Sequence, residues 1–558
     1  MAPIDPEIAN AIESLVGPLP NKDMAIGGAY EAADQFDRSV ATWLPPIQSA
    51  DADIIPNKTM ADARVNDMIR NDGYSQSGAN IHKNSIVGSM YMLNAKPELR
   101  VLGLDEGWQN EFQEEVEAKF TLGAESVNCW LDATRSMTFT GLIRLAIGVY
   151  AAAGEVLATA EWLRSSTRPF KTAIQMVDPG RLRTPFQRMH DNSVRGGIAC
   201  DRFGAAQGFY IQNSMTQGLG MMMSELTDYS YVPAFKPWGR RQVMYIREQT
   251  RPHQTRGVSD MLAGLTEAKI AKQFRKVTLQ NAVTGAMFAA TIESELPSEA
   301  VYSQLGSGQV KLGTAIGNYG TEFLNAVAAY SAKAKGMQID GVKIPHLFPG
   351  TKFQLRPVGT PGGVGQEFEQ SLIRYVAALL GVSYEQLSKD YSKTNYSSAK
   401  AGLNETWKFM QARKKAVADM LATMIYMLWF EEMIGRGEIE TMKYSKAPNY
   451  YDGLNAEAYC GAEWIGAGSG QIDELKETQA AIMRIKAGLS TYEIELGRMG
   501  RDWRKVFMQL EREIKERDAR GIVMEESNAM NAASGNNPGE TRGTNASAES
   551  TNEERIDA

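Results

Sequence analysis

Residues 368–407 read FEQSLIRYVAALLGVSYEQLSKDYSKTNYSSAKAGLNETW. The periodicity predicts a helix over 366–380, a polar loop (SYEQLSKDYSKTNYS), and then the longest helix of the chain over 398–436. Along that helix Leu403, Trp407, Met410, Val417, Leu421, Met424 and Leu428 form one face, mostly at three- and four-residue spacing. Its most apolar part, 416–430 (AVADMLATMIYMLWF), contains Asp419 and is flanked by Arg413-Lys414-Lys415 and Glu431-Glu432. A bilayer span needs about 20 apolar residues, so this run reads as a buried helix and no membrane partner is expected.

Upstream, a long helix rich in Ala, Lys and Gln runs from Ser259, its cap, to about residue 292, and would reach roughly 50 Å. Between it and the helix at 366, residues 293–365 mix a helix over 321–335 with short strands around KIPHLF and KFQLRPV. The run Gly359-Thr360-Pro361-Gly362-Gly363-Val364-Gly365 lacks a strand-to-helix context and reads as a connector, not a phosphate loop. Residues 155–248 form a β-rich unit: VLATAEWL, KTAIQMVD, GGIACD, GFYIQ and QVMYIRE are separated by turn signals, with 218–228 a surface loop. Residues 60–120 are helical, with a stop at Gly73 and a stripe of Trp108, Phe112, Val116 and Phe120 over 106–121. A further helix opens on Thr138 and stops at Gly154. The first 40 residues form an extended arm, and the Pro- and polar-rich texture behind that reading runs to about residue 60. Toward the other end a helical pair spans 471–487 and 490–519, and from about 525 the composition is that of a disordered tail.

The chain has 558 residues, a net charge of −7 and three dispersed cysteines, Cys129, Cys200 and Cys460. Neither a disulfide framework nor a thiolate metal site fits that spacing, and a reducing compartment does. The four histidines, His82, His190, His253 and His346, are scattered without an HExxH. An acidic chain lacks the cationic surplus that counterion release demands of a tight nucleic-acid binder. The N-terminus has no basic, then apolar, signal-peptide pattern. GxxxxGK[ST] is absent, so no ATPase site is expected. Ser397-Ser398-Ala399-Lys400 matches S-x-x-K without its partner motifs and reads as serines capping a helix. Glu114-Glu115 and Glu431-Glu432 read as solvated charge. Arg413-Lys414-Lys415 and the set Lys269, Lys272, Arg275 and Lys276 read either as solvated faces or as narrow strips that meet a polyanion without gripping it.

Several ordered stretches resemble the lambda type of tailed-bacteriophage portal proteins. They are Gln254-Thr255-Arg256-Gly257-Val258 opening a long helix, AMFAATIES at 286–294, Pro349-Gly350 followed by the 368–407 stretch, and Trp464-Ile465-Gly466 with AGLSTYE at 487–493 and Arg498, Gly500 and Asp502 beyond. Ile55-Pro56-Asn57, VNDMIRNDGY at 65–74 and Val87-Gly88-Ser89 agree too, so the resemblance covers most of 40–520. It departs at Lys400, where Arg is usual, at Tyr245, where His is frequent, and at His253, where Gly is common.

The resemblance implies a mainly α, α+β portal fold of wing, stem, clip and crown, assembled as a ring, typically a dodecamer. That ring would stand at a unique capsid vertex, where double-stranded DNA passes in during packaging and out at ejection. By the same resemblance, 1–40 is the arm, 41–255 the wing, 256–292 and 366–381 the stem helices, and 293–365 the clip. Residues 382–397 are the tunnel loop, 398–454 the long wing helix and its return, 455–520 the crown, and 521–558 the tail. The implied DNA-facing residues are Lys389, Asp390, Tyr391, Lys393, Asn395, Tyr396 and Lys400, with Lys269, Lys272, Arg275 and Lys276 as stem charges. No catalytic residue, cofactor or metal is implied. The implied partners are further copies of the chain, DNA held non-specifically, the terminase large subunit, the major capsid protein and scaffold, and a head–tail connector. The setting is the virion, with assembly in the host cytoplasm. Another capsid or scaffold component, or a packaging enzyme, is the alternative.

Overall fold

The computed structural model describes residues 42–213, 228–287, 325, 338–339, 342–343, 364–444, 447–470 and 473–522. The expected arm, most of the clip region, the 218–227 part of the surface loop and the tail beyond 525 lie outside them. The chain divides into two compact units, Met1–Ala467 and Gly468–Ala558.

The first unit opens on helix α1 (Ala50–Asn71), so the extended texture expected to about residue 60 gives way earlier. Ser49 caps it, and Asp51 and Asp53 sit in its first turn, where carboxylates oppose the helix dipole. Helix α2 (Gly73–Ile86) begins, instead of ending, at Gly73. The break is made by Asp72, whose extended backbone ends α1 while its carboxylate accepts from the backbone N–H of Ser75 at 3.0 Å and from the Ser75 hydroxyl at 2.9 Å. Helix α3 (Glu106–Ala124) buries the expected Trp108–Phe112–Val116–Phe120 stripe. Helix α4 (Phe139–Ala153) starts on Thr138 and ends at Gly154. Gly154 has φ +72°, and a Cβ there would run into the Val258 backbone, so both backbone shape and space require glycine.

All five expected runs in 155–248 contain strands. Strands β2 (Glu155–Trp162), β3 (Thr172–Val177) and β8 (Val243–Arg247) make a sheet in the order β3-β2-β8. Strands β4 (Val194–Arg195), β5 (Ile198–Cys200), β6 (Ala206–Gln212) and β7 (Tyr229–Pro233) make a second. Leu157, Leu182, Ile198, Phe209, Ile211 and Val243 pack between them. β7 carried no sequence signal: Tyr-Ser-Tyr-Val-Pro is an edge strand whose residues are all partly or wholly exposed.

A two-stranded ladder pairs β1 (Met92–Ala95) with β9 (Ala462–Ile465). It places Trp464 in the main core, stacked 5.7 Å from Tyr91. This cross-strand ladder belongs to the first unit, which runs to Ala467 and so takes in the opening of the stretch expected as crown from residue 455.

The long helix runs as α8 (Tyr396–Arg413), a π-turn (Lys414–Asp419) and α9 (Met420–Gly435). Tyr426, Trp429 and Phe430 on α9 pack with Phe112, Phe120, Phe139 and Trp464, each fully buried ring contributing roughly 1.5–3 kcal/mol. The apolar run 416–430 is thus buried by its own chain, and no described helix is long and apolar enough to cross a membrane.

Three charge readings need correction. Arg413-Lys414-Lys415 is not a solvated strip: Lys414 is buried and donates to Asp419 and to the Trp464 carbonyl, both at 2.7 Å, and Arg413 pairs with Asp260. Of the carboxylate pairs only Glu114 is exposed. Glu432 accepts from the backbone N–H of Lys171 and Thr172, Glu115 from those of Glu440 and Thr441, and Glu431 pairs with Arg240. Each is a latch on chain far away in sequence: otherwise unmet backbone donors hold Glu432 and Glu115, and a guanidinium holds Glu431.

In the second unit the expected pair of helices is three: α10 (Glu474–Lys486), α11 (Tyr492–Arg498) and α12 (Trp503–Arg520). Gly500, at φ +73°, and the Asp502 cap split the second.

Candidate functional site

The polar segment after residue 380 is built on fixed ends. Helix α6 (Val364–Leu379) buries Ile373, Val376 and Ala377, and the Leu380 carbonyl accepts from or faces His82 Nε2 at 2.9 Å. The other ring nitrogen of His82 lies 3.2 Å from Arg413, at the far end of α8. Burial, reinforced by the Arg413 charge, pushes the His82 pKa down to about 4, so the ring is neutral and bridges the two helices that flank the loop.

Part of the expected 382–397 loop is itself helical. Ser383 and Gln386 form a reciprocal capping box that starts α7 (Tyr384–Ser388), and Leu387 is buried beneath it. Thr406 on α8 donates to Gln386 at 2.7 Å, fastening this turn to the long helix. Lys389 ends α7 in a left-handed conformation, φ +61°.

What is left is a tight, exposed turn. The Asp390 carboxylate accepts from the Ser392 hydroxyl (2.7 Å) and backbone N–H (3.0 Å), which hold it below its usual pKa and therefore charged. Lys389, Tyr391 and Lys393 project to solvent, and Asn395 closes the turn by accepting from the Ser398 N–H at 2.9 Å. Asn395, and not the serines of the S-x-x-K match, is the helix cap. Tyr396 is exposed at the start of α8, with Lys400 Nζ 5.8 Å from its ring. All seven loop candidates therefore gather on one turn and the start of α8: three lysines beside a carboxylate, an amide and two phenol rings.

The stem candidates separate. Helix α5 (Leu265–Met287) is preceded by a 3₁₀ turn (Asp260–Gly264) that Ser259 caps. Lys269, Lys272 and Lys276 share one face at three- and four-residue spacing, Lys272 being partly buried. Arg275 points elsewhere: it pairs with Asp72 at 2.6 Å and lies 4.6 Å over the Tyr74 ring, which binds α5 to α2.

Sequence reasoning missed the polar knot where α5 meets the β unit. Glu155, wholly buried, is gripped by Arg256 (2.6 and 3.0 Å), by Tyr245 (2.6 Å) and by the Gly257 N–H (2.8 Å), with Lys58 3.4 Å away. Arg256 also donates to the carbonyls of Pro179, Leu182 and Gly196. Burial alone would raise the Glu155 pKa; Arg256 and Lys58 outweigh it and bring it below the usual value. Next to it Thr255 donates to Asp51 from both its N–H and its hydroxyl. The only signal was Gln254-Thr255-Arg256-Gly257 standing between a strand and a helix. Among the described residues no group of three or more His, Cys, Asp or Glu is placed to hold a metal ion.

The described residues thus present a small exposed polar turn on a helical scaffold whose flanks are tied by His82, Thr406 and a capping box. The family model described as "Phage portal protein, lambda family" matches residues 36–414. The chain is 36% identical over 513 residues to the portal protein of Escherichia phage N15, covering 92% of this chain and 94% of that one. It is also 36% identical over 496 residues to portal protein B of Escherichia phage lambda, covering 89% and 91%. A solved structure titled as the neck of an empty GTA particle aligns over 78% of this chain and 93% of its own at 10% identity and a TM-score of 0.38, a likeness too slight to carry an argument. The chain belongs to the lambda family of phage portal proteins.

Proposed function

We propose that twelve copies close into a ring at one capsid vertex, and that duplex DNA crosses the central opening during packaging and ejection. In this reading the turn from Lys389 to Tyr396, with Lys400, rims the opening, and Lys269, Lys272 and Lys276 line it further along. Residues 41–255 form the wing, 256–292 and 366–381 the stem, and the helices beyond Gly468 the crown. The terminase large subunit supplies the motor, and the capsid protein, scaffold and a connector dock outside. The chain itself performs no chemistry.

Family membership over most of the chain carries the reading. The charge balance supports it: twelve chains at −7 sum to about −84, so the wall repels DNA overall while each lysine becomes a twelve-fold cationic ring. Negative-stain images of the purified chain should show rings with a hollow axis, and a monomer at micromolar concentration would refute the proposal. Lys393→Glu should leave rings intact and lower the DNA retained in heads; normal packaging in that variant would remove the loop from the DNA path.

A further inference from the structure

The second unit has a surface that a free-standing domain would not keep. Among its described residues only Glu495 and Asp502 are buried, and no apolar side chain is. Its three helices are held by local polar contacts. Asp473, Thr491 and Asp502 cap them. Glu495 accepts from Arg484 at 2.7 and 2.9 Å and from Arg498 at 3.3 Å, hydrogen bonds that keep its pKa at about 2. Tyr492 meets Phe507 edge-on at 5.5 Å.

Apart from this ring contact, the apolar side chains lie largely outside this frame. Leu489 is 79% exposed, Leu475 67% and Met483 64%, while on α12 Leu510 and Ile514 are each 46% exposed. Eleven large apolar residues of this unit are exposed in all. Together they offer on the order of 1,000 Å², which a ring divides between two neighbours, so each contact is at the small end of specific interfaces. Two groups of these residues fall on two helices: Leu475 and Met483, within about a quarter turn of each other on α10, and Phe507, Leu510 and Ile514 at three- and four-residue spacing on α12. A cyclic assembly joins unlike surfaces head to tail, so each copy needs two.

We infer that the apolar stripe of α12 packs against the α10 surface of the same unit in the neighbouring copy, so that this unit acquires a core only when copies assemble. The inference rests on the ring reading above. A single chain caps and pairs the helices; the neighbour supplies the hydrophobic burial.

Hydrogen exchange on the full chain, as rings and as subunits separated by dilution, tests it. Amides of α12 should exchange at least tenfold more slowly in rings than in separated subunits. Leu510→Lys with Ile514→Lys should erase that difference, and so should Leu475→Lys with Met483→Lys on the facing surface. Amides of α4, in the first unit, report in each variant that the chain has folded and should be unchanged. Equal exchange of α12 in rings and subunits overturns the packing, as does undiminished protection in either double variant, which would mean that α12 is covered by its own chain. A wild-type chain that never assembles overturns the ring reading and takes this packing with it.

Discussion

Replacing Arg256 by methionine keeps the approximate volume of the side chain and removes all the guanidinium donors of the buried knot, leaving Glu155 the Tyr245 hydroxyl and the Gly257 N–H. Glu155 is left with no exposed atoms and with Lys58, at 3.4 Å, as its only cation. The carbonyls of Pro179, Leu182 and Gly196 lose the Arg256 donor at the same time, although Pro179 keeps the Leu182 N–H. Breaking a buried ion pair from one side costs about 3–5 kcal/mol, a large share of the 5–15 kcal/mol that holds a domain together. Arg256→Lys should recover little of it, because three donors on a point charge cannot serve a bidentate carboxylate and three carbonyls at once. The pH dependence gives a second reading of the same contact. In the wild type the Glu155 pKa lies below its unfolded value, so its stabilisation is present above that value and is lost as pH falls through the folded one. In the methionine variant burial dominates and raises the pKa, so the destabilisation is largest near pH 7 and is relieved as acid neutralises the carboxylate. Urea unfolding followed by circular dichroism at pH 7 and pH 5 should therefore show a deficit of about 4 kcal/mol that narrows at the lower pH. A deficit below about 1 kcal/mol at pH 7 would refute the argument, since that is the range of an exposed pair. A deficit of equal size at both pH values would refute it too.

His82 should make the junction of α6 and α8 sensitive to acid. Its pKa is about 4 in the fold against 6.5 for a free ring, so the unfolded chain binds the extra proton first and stability falls as pH drops from about 6.5 to 4. The span corresponds to roughly 3 kcal/mol, and it should appear as the difference between the acid profiles of wild type and His82→Gln, a subtraction that also cancels the opposing titration of Asp62, raised to about 6. Parallel acid titrations of the two proteins would count against a neutral bridging ring. Asp419→Ala leaves the buried Lys414 ammonium with the Trp464 carbonyl as its remaining acceptor and strands the Tyr91 hydroxyl that donates to Asp419. A loss of about 3 kcal/mol in thermal or urea unfolding is expected, and wild-type stability would mean that the pair is replaceable.

Elements with a local cause were legible. The α3 stripe, the Thr138 and Gly154 boundaries of α4, and five strand-bearing runs of the β unit all follow from periodicity and turn chemistry that a window of the chain contains. The exposed turn around Lys393 was legible for the same reason: a polar run between two apolar helices must lie at the surface. What escaped was long-range. Glu155 and Arg256 are 101 residues apart, and His82 lies 331 from Arg413, so nothing in either neighbourhood marks the partner. Glu432 and Glu115 looked solvated because charge beside charge on a helix usually is; only distant backbone donors made them structural. Tyr229–Pro233 became a strand by pairing with β6, a partner's hydrogen bonds supplying what its own side chains do not.

The long helix shows that one of these misses had a local trace after all. Its apolar face steps from Met410 to Val417, and the α-helical position between them is Lys414. A lysine there would face the core alone, at a cost that no α-helical neighbour offsets, since Asp419 stands five residues on and an α-turn brings together residues three or four apart. A π-turn widens the coil by one residue per turn and closes i against i+5. With it, Lys414 and Asp419 meet at 2.7 Å inside the core, and Met420 resumes the α-helix one residue out of phase. The insertion is therefore what lets the exposed start of α8 and the buried aromatic run of α9 share one helix. Each half keeps its own apolar register, and the buried ion pair holds the join between them.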